Sequence, residues 1–301
     1  MSEILKKTKE ICRLLEIKPA RSKGQNFLIN EKIYQEMVKA SLVNEDDIVL
    51  EVGPGLGFLT AQLAEKAKKV IAVELDDKLS AYLQMAIDSQ DVENVYLVNQ
   101  DILTFDLGNF FVSKGFKRQQ KYKIVANLPY NISSIFLRTF LSSALKPSSI
   151  TLMLQYEVAK RIIVKAPDSN LLALSVAFYG EAEIIREVKA GNFWPEPEVD
   201  SAIIKIELNS QREEFLSSQG VNINDEIAVM NFEKKFFRLL KISFSAKRKM
   251  IRNNLLGGLK LDTKTVEKVL VNADINLKAR AEDLSLDEFK KLFATLSKLM
   301  V

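Results

Sequence analysis

The sequence predicts an α/β protein, in which a largely parallel, doubly wound sheet is followed by a smaller domain made of helices. Up to about residue 208, short apolar runs typical of strands alternate with segments of helical periodicity, which is the pattern of parallel βαβ units. Residues 225–301 show four or five helical segments and no convincing strand. The stretch 209–224 is polar and rich in Ser, Asn and Gln. We therefore expect one domain at 1–210 and a helical domain at 211–301.

The individual elements follow from local hydrophobic patterns. Amphipathic periodicity predicts helices at 31–42, 60–67, 77–87 and 134–145. Apolar runs predict strands at 48–52, 70–75, 95–98, 124–126 and 150–154. From residue 174 the runs are extended and have no helix between them. They predict antiparallel strands that close one edge of the sheet, at 174–178, 184–188 and 203–208.

Composition excludes several kinds of chemistry. The chain has 301 residues, one cysteine and no histidine. Without an imidazole, Ser-His-Asp and Cys-His catalysis and most zinc sites are excluded, and Cys12 alone forms no internal disulfide. We expect no metal site. The sequence has no run of about 18 apolar residues, so it predicts no membrane-spanning helix. The first residues lack the apolar core of a signal peptide, so we expect a cytoplasmic protein.

A glycine-rich loop joins the strand at 48–52 to the next helix. Gly53, Gly55 and Gly57 allow the backbone to turn tightly and to approach a ligand closely. A dinucleotide fingerprint would place a third small residue at position 58, where this chain has Phe58. The loop therefore favours a ligand without a pyrophosphate, although a plain connecting loop is the alternative.

Acidic residues stand at or near the ends of the next two predicted strands. Glu74 is placed to bind both hydroxyls of a ribose, because Asp76 could instead cap the following helix. Asp101 could accept a hydrogen bond from an adenine amino group, or it could simply form a turn. Together with the glycine loop, these acids indicate a nucleoside site without phosphates. S-adenosylmethionine is the common cofactor of that shape.

The segment Asn127-Leu128-Pro129-Tyr130 follows another predicted strand. Ligands of open α/β sheets bind at the carboxyl ends of strands. There, the Asn127 side-chain oxygen and the Leu128 carbonyl can accept hydrogen bonds from one exocyclic NH2, and the Tyr130 ring can stack on the base that carries it. The corner therefore predicts chemistry on a nucleobase amino group.

A basic stretch lies in the predicted helical domain. Residues 234–252 contain eight Lys or Arg and no acid, with aromatic and aliphatic residues between them. This pattern fits an electrostatic surface for a phosphate backbone. A pair of amphipathic helices with a solvated basic face is the alternative. Lys18, Arg21 and Lys23 form a smaller basic cluster.

These motifs resemble the KsgA/RsmA family of small-subunit (16S-type) ribosomal RNA adenine N6,N6-dimethyltransferases. The resemblance covers about 20–295, and the family's motifs match at 24–28, 51–60, 73–76, 127–133, 155–161, 193–201, 247–255 and 280–285. Departures stand at Leu171-Leu172, where the family usually has Tyr-Gly, at Glu198, where a basic residue is frequent, and at Tyr156, where Lys is common. They affect the expected RNA contacts more than the cofactor site.

The resemblance implies a Rossmann-like class I methyltransferase sheet that binds S-adenosylmethionine. It implies two sets of site residues in the first domain. The cofactor residues implied are Asn26, Leu28, Gly53, Gly55, Glu74, Asp101 and Asn127. The catalytic residues implied are Asn127, Leu128, Pro129 and Tyr130, with Phe193 on the other face of the target base. For Phe27 and Trp194 we favour plain packing.

The resemblance also implies the RNA target and its partner. Lys247, Arg248, Lys249 and Arg252 would bind RNA. The target would be two adjacent adenosines in the hairpin loop near the 3′ end of small-subunit rRNA, within an immature subunit and with a role in ribosome biogenesis. We expect a monomer and no membrane association.

Three alternatives remain open at this point. A large-subunit adenine dimethyltransferase of the resistance type is disfavoured by Pro54, Leu56 and Leu128, since those relatives tend to carry Ser and Lys in the loop and Ile in the corner. A DNA adenine methyltransferase is disfavoured by the helical domain and its basic stretch. A mainly RNA-binding assembly factor is disfavoured by the intact acceptor residues.

Overall fold

The computed structural model describes residues 2–17 and 25–297. Lys18, Arg21, Lys23 and Gly24, which belong to motifs found in the sequence, lie outside this part. The strands are β1 (Phe27–Leu28), β2 (Ile48–Val52), β3 (Lys69–Glu74), β4 (Val95–Asn99), β5 (Lys123–Asn127), β6 (Ser149–Gln155), β7 (Gly180–Val188), β8 (Phe193–Trp194) and β9 (Ser201–Leu208).

Helices connect most of these strands and follow the last one. Up to residue 163 they are α1 (Glu3–Leu14), α2 (Glu31–Ser41), α3 (Phe58–Ala64), α4 (Asp77–Ser89), α5 (Leu107–Ser113), α6 (Ser133–Ser142) and α7 (Tyr156–Ile163). The others are α8 (Leu171–Ala177), α9 (Gln211–Ser218), α10 (Glu226–Ser243), α11 (Ile251–Leu259), α12 (Thr263–Asn272) and α13 (Leu286–Leu296). Among the described residues, no helix has the length and apolar character to cross a membrane.

The main sheet has seven strands in the order β4-β3-β2-β5-β6-β9-β7. The first five are parallel, and β9 pairs with β6 in the antiparallel direction. The predicted α/β fold with a largely parallel, doubly wound sheet is thereby confirmed. All five residues of β2 and all three central residues of β5 are buried, as expected for central parallel strands. The carboxyl ends of β2, β3 and β5 meet at one edge of the sheet.

Local capping explains where two helices of this unit begin. The Asn30 side chain accepts a hydrogen bond from the Lys32 N–H at the start of α2. Asp76 accepts from the N–H groups of Lys78 and Leu79 at the start of α4, so it acts as the helix cap that the sequence suggested. This arrangement leaves Glu74, at the end of β3, as the acid available to the sheet edge.

The extended run predicted at 174–178 is wrong, because these residues lie largely in helix α8. The side chain of Asn170 caps this helix by accepting from the N–H groups of Leu172 and Ala173. The sequence Leu-Leu-Ala-Leu that follows has high helix propensity. An apolar run of this length fits a strand or a helix equally well, and the Asn cap decides it.

The chain divides into two compact units. The first contains 1–159 and 183–208, and the second contains 160–182 and 209–301. The sequence predicts a single boundary between 210 and 211, whereas 160–182 group with the second unit. The polar stretch at 209–224, interpreted as a boundary, contains helix α9.

Aromatic side chains fill the core of the second unit. The Phe178 ring stacks on Phe236 with centroids 4.7 Å apart, and Phe215 meets Phe236 edge to face at 5.8 Å. Beside them, the buried Glu233 carboxylate accepts hydrogen bonds from the Arg212 guanidinium and, at 3.0 Å, from the Tyr179 hydroxyl. A buried charge requires such partners, because an unpaired one would be strongly destabilising.

Replacing Gly57 with Ala should destabilise the first unit by about 2–4 kcal/mol. Gly57 has φ +82°, and an added Cβ would lie 2.5 Å from Cδ1 of Leu83, which is 4% exposed and has little room to move. Gly115→Ala is the matched control, because Gly115 has φ +79° with no atom within 4 Å. Urea denaturation should show a loss for Gly57→Ala clearly larger than the backbone cost of about 1–2 kcal/mol expected for the control. Equal losses would contradict the packing argument.

Candidate active site

A cavity of about 370 Å³ opens at the sheet edge where β2, β3 and β5 end. Its size falls within the usual range of small-ligand sites. Nine of the residues that the sequence singled out line it. They are Asn26, Leu28, Gly53, Gly55, Glu74, Asn127, Leu128, Pro129 and Tyr130. Four separate sequence motifs therefore converge on one space.

The glycine loop forms the floor of the cavity between β2 and α3. Gly53 and Gly55 have φ values of +63° and +58°, which other residues rarely adopt. The Gly53 N–H donates to the Val73 carbonyl at 2.9 Å, and the Gly57 N–H donates to the Pro54 carbonyl at 3.0 Å. These bonds fix the loop against β3 and expose its backbone to the cavity.

Glu74 joins the ends of three strands. Its carboxylate accepts hydrogen bonds from the Gly55 N–H at 3.0 Å and from the Asp76 N–H at 2.9 Å. Its backbone carbonyl accepts from the Asn99 side chain and the Gln100 N–H, both at 3.0 Å. Burial raises the pKa of Glu74, and the two N–H groups partly offset that effect. The carboxylate is therefore held in one position and keeps lone pairs for a ligand.

The corner that follows β5 presents polar atoms to the same cavity. Among the residues that the structure describes, nothing hydrogen-bonds to the Asn127 side chain, although it lines the cavity. The Leu128 side chain is buried, so its contribution to the cavity is mainly its backbone. Tyr130 is half-buried, and its hydroxyl lies 2.7 Å from the Ser201 hydroxyl. The arrangement matches a pair of acceptors beside an aromatic ring.

A short two-stranded sheet positions the residues that only the resemblance indicated. In it, Phe27 pairs with Trp194 and Leu28 pairs with Phe193. Asn26 and Leu28 line the cavity. Phe27 does so as well, half-buried, so it is not the core residue that we favoured. Phe193 is 3% exposed, packs in the core and does not line this cavity.

Asp101 also lies outside the cavity wall. One of its carboxylate oxygens accepts from the Leu103 N–H at 2.9 Å, and its carbonyl accepts from the Thr104 N–H at 3.1 Å. This is the geometry of a turn, the alternative that the sequence left open. A role for Asp101 and Phe193 at the site remains a prediction.

Glu51 is a cavity residue to which the sequence reading gave no role. It is 1% exposed, and its Oε2 has no hydrogen-bond partner among the described residues. Burial raises its pKa to about 8, the nearby Thr60 hydroxyl offsets this in part, and Glu74 adds to it. Glu51 in turn contributes to a raised pKa of Tyr34, after burial. The sequence signal was an acid inside an otherwise apolar buried strand.

Most of the basic stretch is exposed on the second unit. The exposed cations lie on α10 and in the loop that follows it. They are Lys234, Lys235, Arg238, Lys241, Lys247, Arg248 and Lys249. Arg252 is half-buried instead and donates to Glu267 at 2.7 Å. The alternative of a solvated basic face and the proposal of an RNA surface both fit this exposure.

Two solved structures share the fold of this chain. A dimethyladenosine transferase from Plasmodium falciparum superposes with a TM-score of 0.74 at 24% identity, covering 90% of this chain and 98% of that one. The 23S rRNA methyltransferase ErmE superposes with a TM-score of 0.66 at 24% identity, covering 90% and 100%. The sheet and the helical second part therefore have a class I methyltransferase fold.

Sequence comparison is more specific. The family model "Ribosomal RNA adenine dimethylase" matches residues 18–298, and the chain belongs to this family. A relative named ribosomal RNA small subunit methyltransferase A, from Dehalococcoides mccartyi (strain CBDB1), is 38% identical over 96% of this chain and 92% of its own length. Another of that name, from Bacillus pumilus, is 36% identical over 98% and 97%. The protein is therefore an rRNA adenine dimethyltransferase, and the predicted family is confirmed.

Glu51→Gln should make stability less dependent on pH. Between the pKa of an unfolded glutamate, about 4.3, and the folded pKa of about 8, the folded protein holds one more proton than the unfolded chain. Stability therefore falls as pH rises through this window, by about 1.4 kcal/mol per unit where the difference is one full proton. Glutamine stays neutral throughout, so the thermal midpoint of the variant should fall less between pH 5 and 8.

Glu65→Gln is the control for this measurement, because Glu65 is exposed on the protein surface. It should retain the pH dependence of the wild type. A Glu51→Gln variant whose midpoints run parallel to the wild type across the window would show that Glu51 ionises normally.

Proposed function

We propose that this protein transfers methyl groups from S-adenosylmethionine to N6 of two adjacent adenosines in the 3′-terminal loop of small-subunit rRNA, forming dimethyladenosines. The observation that carries the proposal is one cavity that joins a buried, preorganised carboxylate at Glu74 to the Asn127 amide, which no described residue hydrogen-bonds, and to the ring of Tyr130. The names of the curated relatives support the small subunit as the target.

The cavity fits a nucleoside cofactor that lacks a pyrophosphate. Glu74 offers two carboxylate oxygens of fixed position for ribose hydroxyls, and Gly53 and Gly55 let backbone approach the ligand closely. Phe27 packs against Gly55, because its nearest ring carbon would lie 3.6 Å from a Cβ added to Gly55. S-adenosylmethionine supplies an activated methyl group on a sulfonium when bound. Leu28 in β1 and Asn26 just before it would contact it.

The protein's own part in the reaction is to position and polarise the target amine. An adenine N6 lone pair is delocalised into the ring and is a weak nucleophile. Hydrogen bonds from the NH2 to the Asn127 side chain and the Leu128 carbonyl draw the nitrogen toward tetrahedral geometry and localise that pair. Pro129 restricts the backbone directly after them. The methylated amine then loses its proton to water, so a chain without histidine can perform the reaction.

The target adenosine must leave its stack to reach this cavity. Enzymes that modify a base extrude it or act on unpaired residues, and an aromatic ring then holds the base by stacking. Tyr130 is placed for this role. Lys247, Arg248 and Lys249, with Arg252 at the margin, would hold the phosphate backbone. We infer that a monomer acts in the cytoplasm on an immature small subunit, where the loop is still accessible.

Dimethyladenosine should form when the protein is mixed with unmodified small subunits and labelled S-adenosylmethionine, as measured by nucleoside mass spectrometry. Asn127→Ala should lower the rate about a hundredfold or more, because one of two polarising acceptors is lost. Asn109→Ala, a surface change on α5, should leave the rate intact. Label that appears on large-subunit RNA or DNA, and not on small subunits, would favour the other methyltransferases considered above.

A mainly RNA-binding role makes a different prediction for the same variant. If assembly is the whole function, cells that carry Asn127→Ala should mature small subunits normally. Loss of dimethylation with normal growth and maturation would separate the two activities, whereas loss of both would support catalysis as the main role.

Cofactor binding and RNA binding should respond to different changes. Glu74→Ala should weaken cofactor binding roughly ten- to hundredfold, since two charge-assisted hydrogen bonds are lost, while RNA affinity is unchanged. Asp101→Ala should have a smaller effect, because Asp101 is outside the cavity wall. Charge reversal at Lys247, Arg248 and Lys249 should spare the cofactor and flatten the salt dependence of RNA binding, by about 0.7–0.9 in slope per lost phosphate contact.

Calorimetry for the cofactor and a salt titration with rRNA would measure both effects. Equal losses of cofactor affinity in Glu74→Ala and in the charge-reversed variant of Lys247, Arg248 and Lys249 would contradict the assignment of cofactor binding to the first unit and RNA binding to the second.

A further inference from the structure

The Tyr130 ring is fixed at its far end by a residue that the cavity does not include. Tyr130 belongs to the turn between β5 and α6, and its hydroxyl lies 2.7 Å from the hydroxyl of Ser201, 71 residues later in the chain. Ser201 is fully buried. A side chain with two rotatable bonds that is held at both ends keeps one ring orientation.

Ser201 is itself immobilised by the sheet. It is the first residue of β9 and pairs with Gln155 of β6. The preceding residue, Asp200, accepts a hydrogen bond from the Tyr156 N–H at 2.9 Å through its carbonyl. Its carboxylate accepts from the Ala190 N–H at 2.9 Å. The anchor of the Tyr130 hydroxyl is therefore part of the rigid framework of the unit and not of a surface loop.

We propose that Ser201 is a positioning residue, which holds the Tyr130 ring in the orientation that stacks on the target adenine. The inference rests on the proposed function and extends it from the cavity wall to the framework behind it. Phenylalanine at 130 would offer the same stacking face, so the hydroxyl is what distinguishes the tyrosine. Its partner Ser201 supplies the orientation, and its role is exerted through the ring and not by contact with substrate.

The geometry separates this role from a purely structural one. A hydroxyl buried only to stabilise the sheet would affect unfolding and leave the reaction unchanged. A hydroxyl that orients the ring would affect stacking and turnover, while leaving the cofactor residues Gly53 and Glu74 untouched. Preorganised orientation matters for catalysis because a small misplacement of a reacting group lowers the rate markedly.

The test is a double-mutant cycle of Ser201→Ala and Tyr130→Phe. The substrate is the loop RNA in small subunits, with 2-aminopurine at the target adenosine for a stacking readout by fluorescence and natural adenosine for turnover. Each single variant should lower kcat and the fluorescence quenching on binding by roughly fivefold, the value of one net hydrogen bond. The double variant should be no worse than either single one, because both remove the same bond.

Matched variants complete the cycle. Ser201→Thr keeps the hydroxyl and should restore kcat and quenching, and Tyr130→Ala should lose quenching altogether. Ser41→Ala removes another buried hydroxyl, which donates to the Val38 carbonyl within α2 away from the cavity, and should change neither readout. Cofactor affinity should be unchanged in Ser201→Ala and Tyr130→Phe. Tyr130→Phe keeps the test decisive if the Ser201 variants fold poorly.

The outcomes test the role of Ser201 separately from the proposed methyl transfer. Wild-type protein that forms no dimethyladenosine on small subunits overturns both. Wild-type activity with unchanged kcat and quenching in Ser201→Ala and Tyr130→Phe overturns only the role of Ser201. Effects of the two single changes that add up in the double variant also overturn it, since the hydroxyls would then act separately.

Discussion

The buried carboxylate of Glu74 is the constraint on which the site depends. Its two oxygens hold the loop after β2 through Gly55 and the turn after β3 through Asp76, while its carbonyl holds the end of β4. A carboxylate that is 6% exposed would be costly without these partners. The folded loops therefore stabilise the charge, and the charge in turn fixes the loops. A ligand that binds this carboxylate meets a site whose geometry already exists.

The proposed reaction depends on hydrogen-bond acceptors and not on a general base. Asn127 and Leu128 line the same cavity as Glu74, and the chain contains no histidine. A reaction that starts from an activated methyl donor needs orientation and polarisation of the amine more than proton abstraction. The same cavity wall carries Glu51, whose raised pKa makes this edge of the sheet sensitive to pH near neutrality. The cavity proposed for catalysis therefore also contributes to the pH dependence of stability.

The sequence predicted the sheet and most of the cavity because both depend on local signals. Buried parallel strands are continuous apolar runs, and the candidate ligand residues stand at their carboxyl ends, as with Gly53, Glu74 and Asn127. The helix at 171–177 was missed because its apolar run fits either element, and only the cap at Asn170 decides between them. The contact of Tyr130 with Ser201 spans 71 residues, and no local pattern encodes it. Burial of Phe193 and the turn at Asp101 depend likewise on tertiary neighbours.

The course of the chain has a practical consequence for dissecting the protein. Residues 160–182 group with the second unit, and the chain returns to the first at residue 183, within β7. Phe178 is fully buried against Phe236 and Phe215, which lie after residue 208. A fragment that stops at residue 208 would carry this ring without the aromatic partners that bury it in the second unit. Such a fragment would expose an apolar surface and aggregate, so isolating the first unit would require replacement of 164–179, between α7 and β7, by a short polar link.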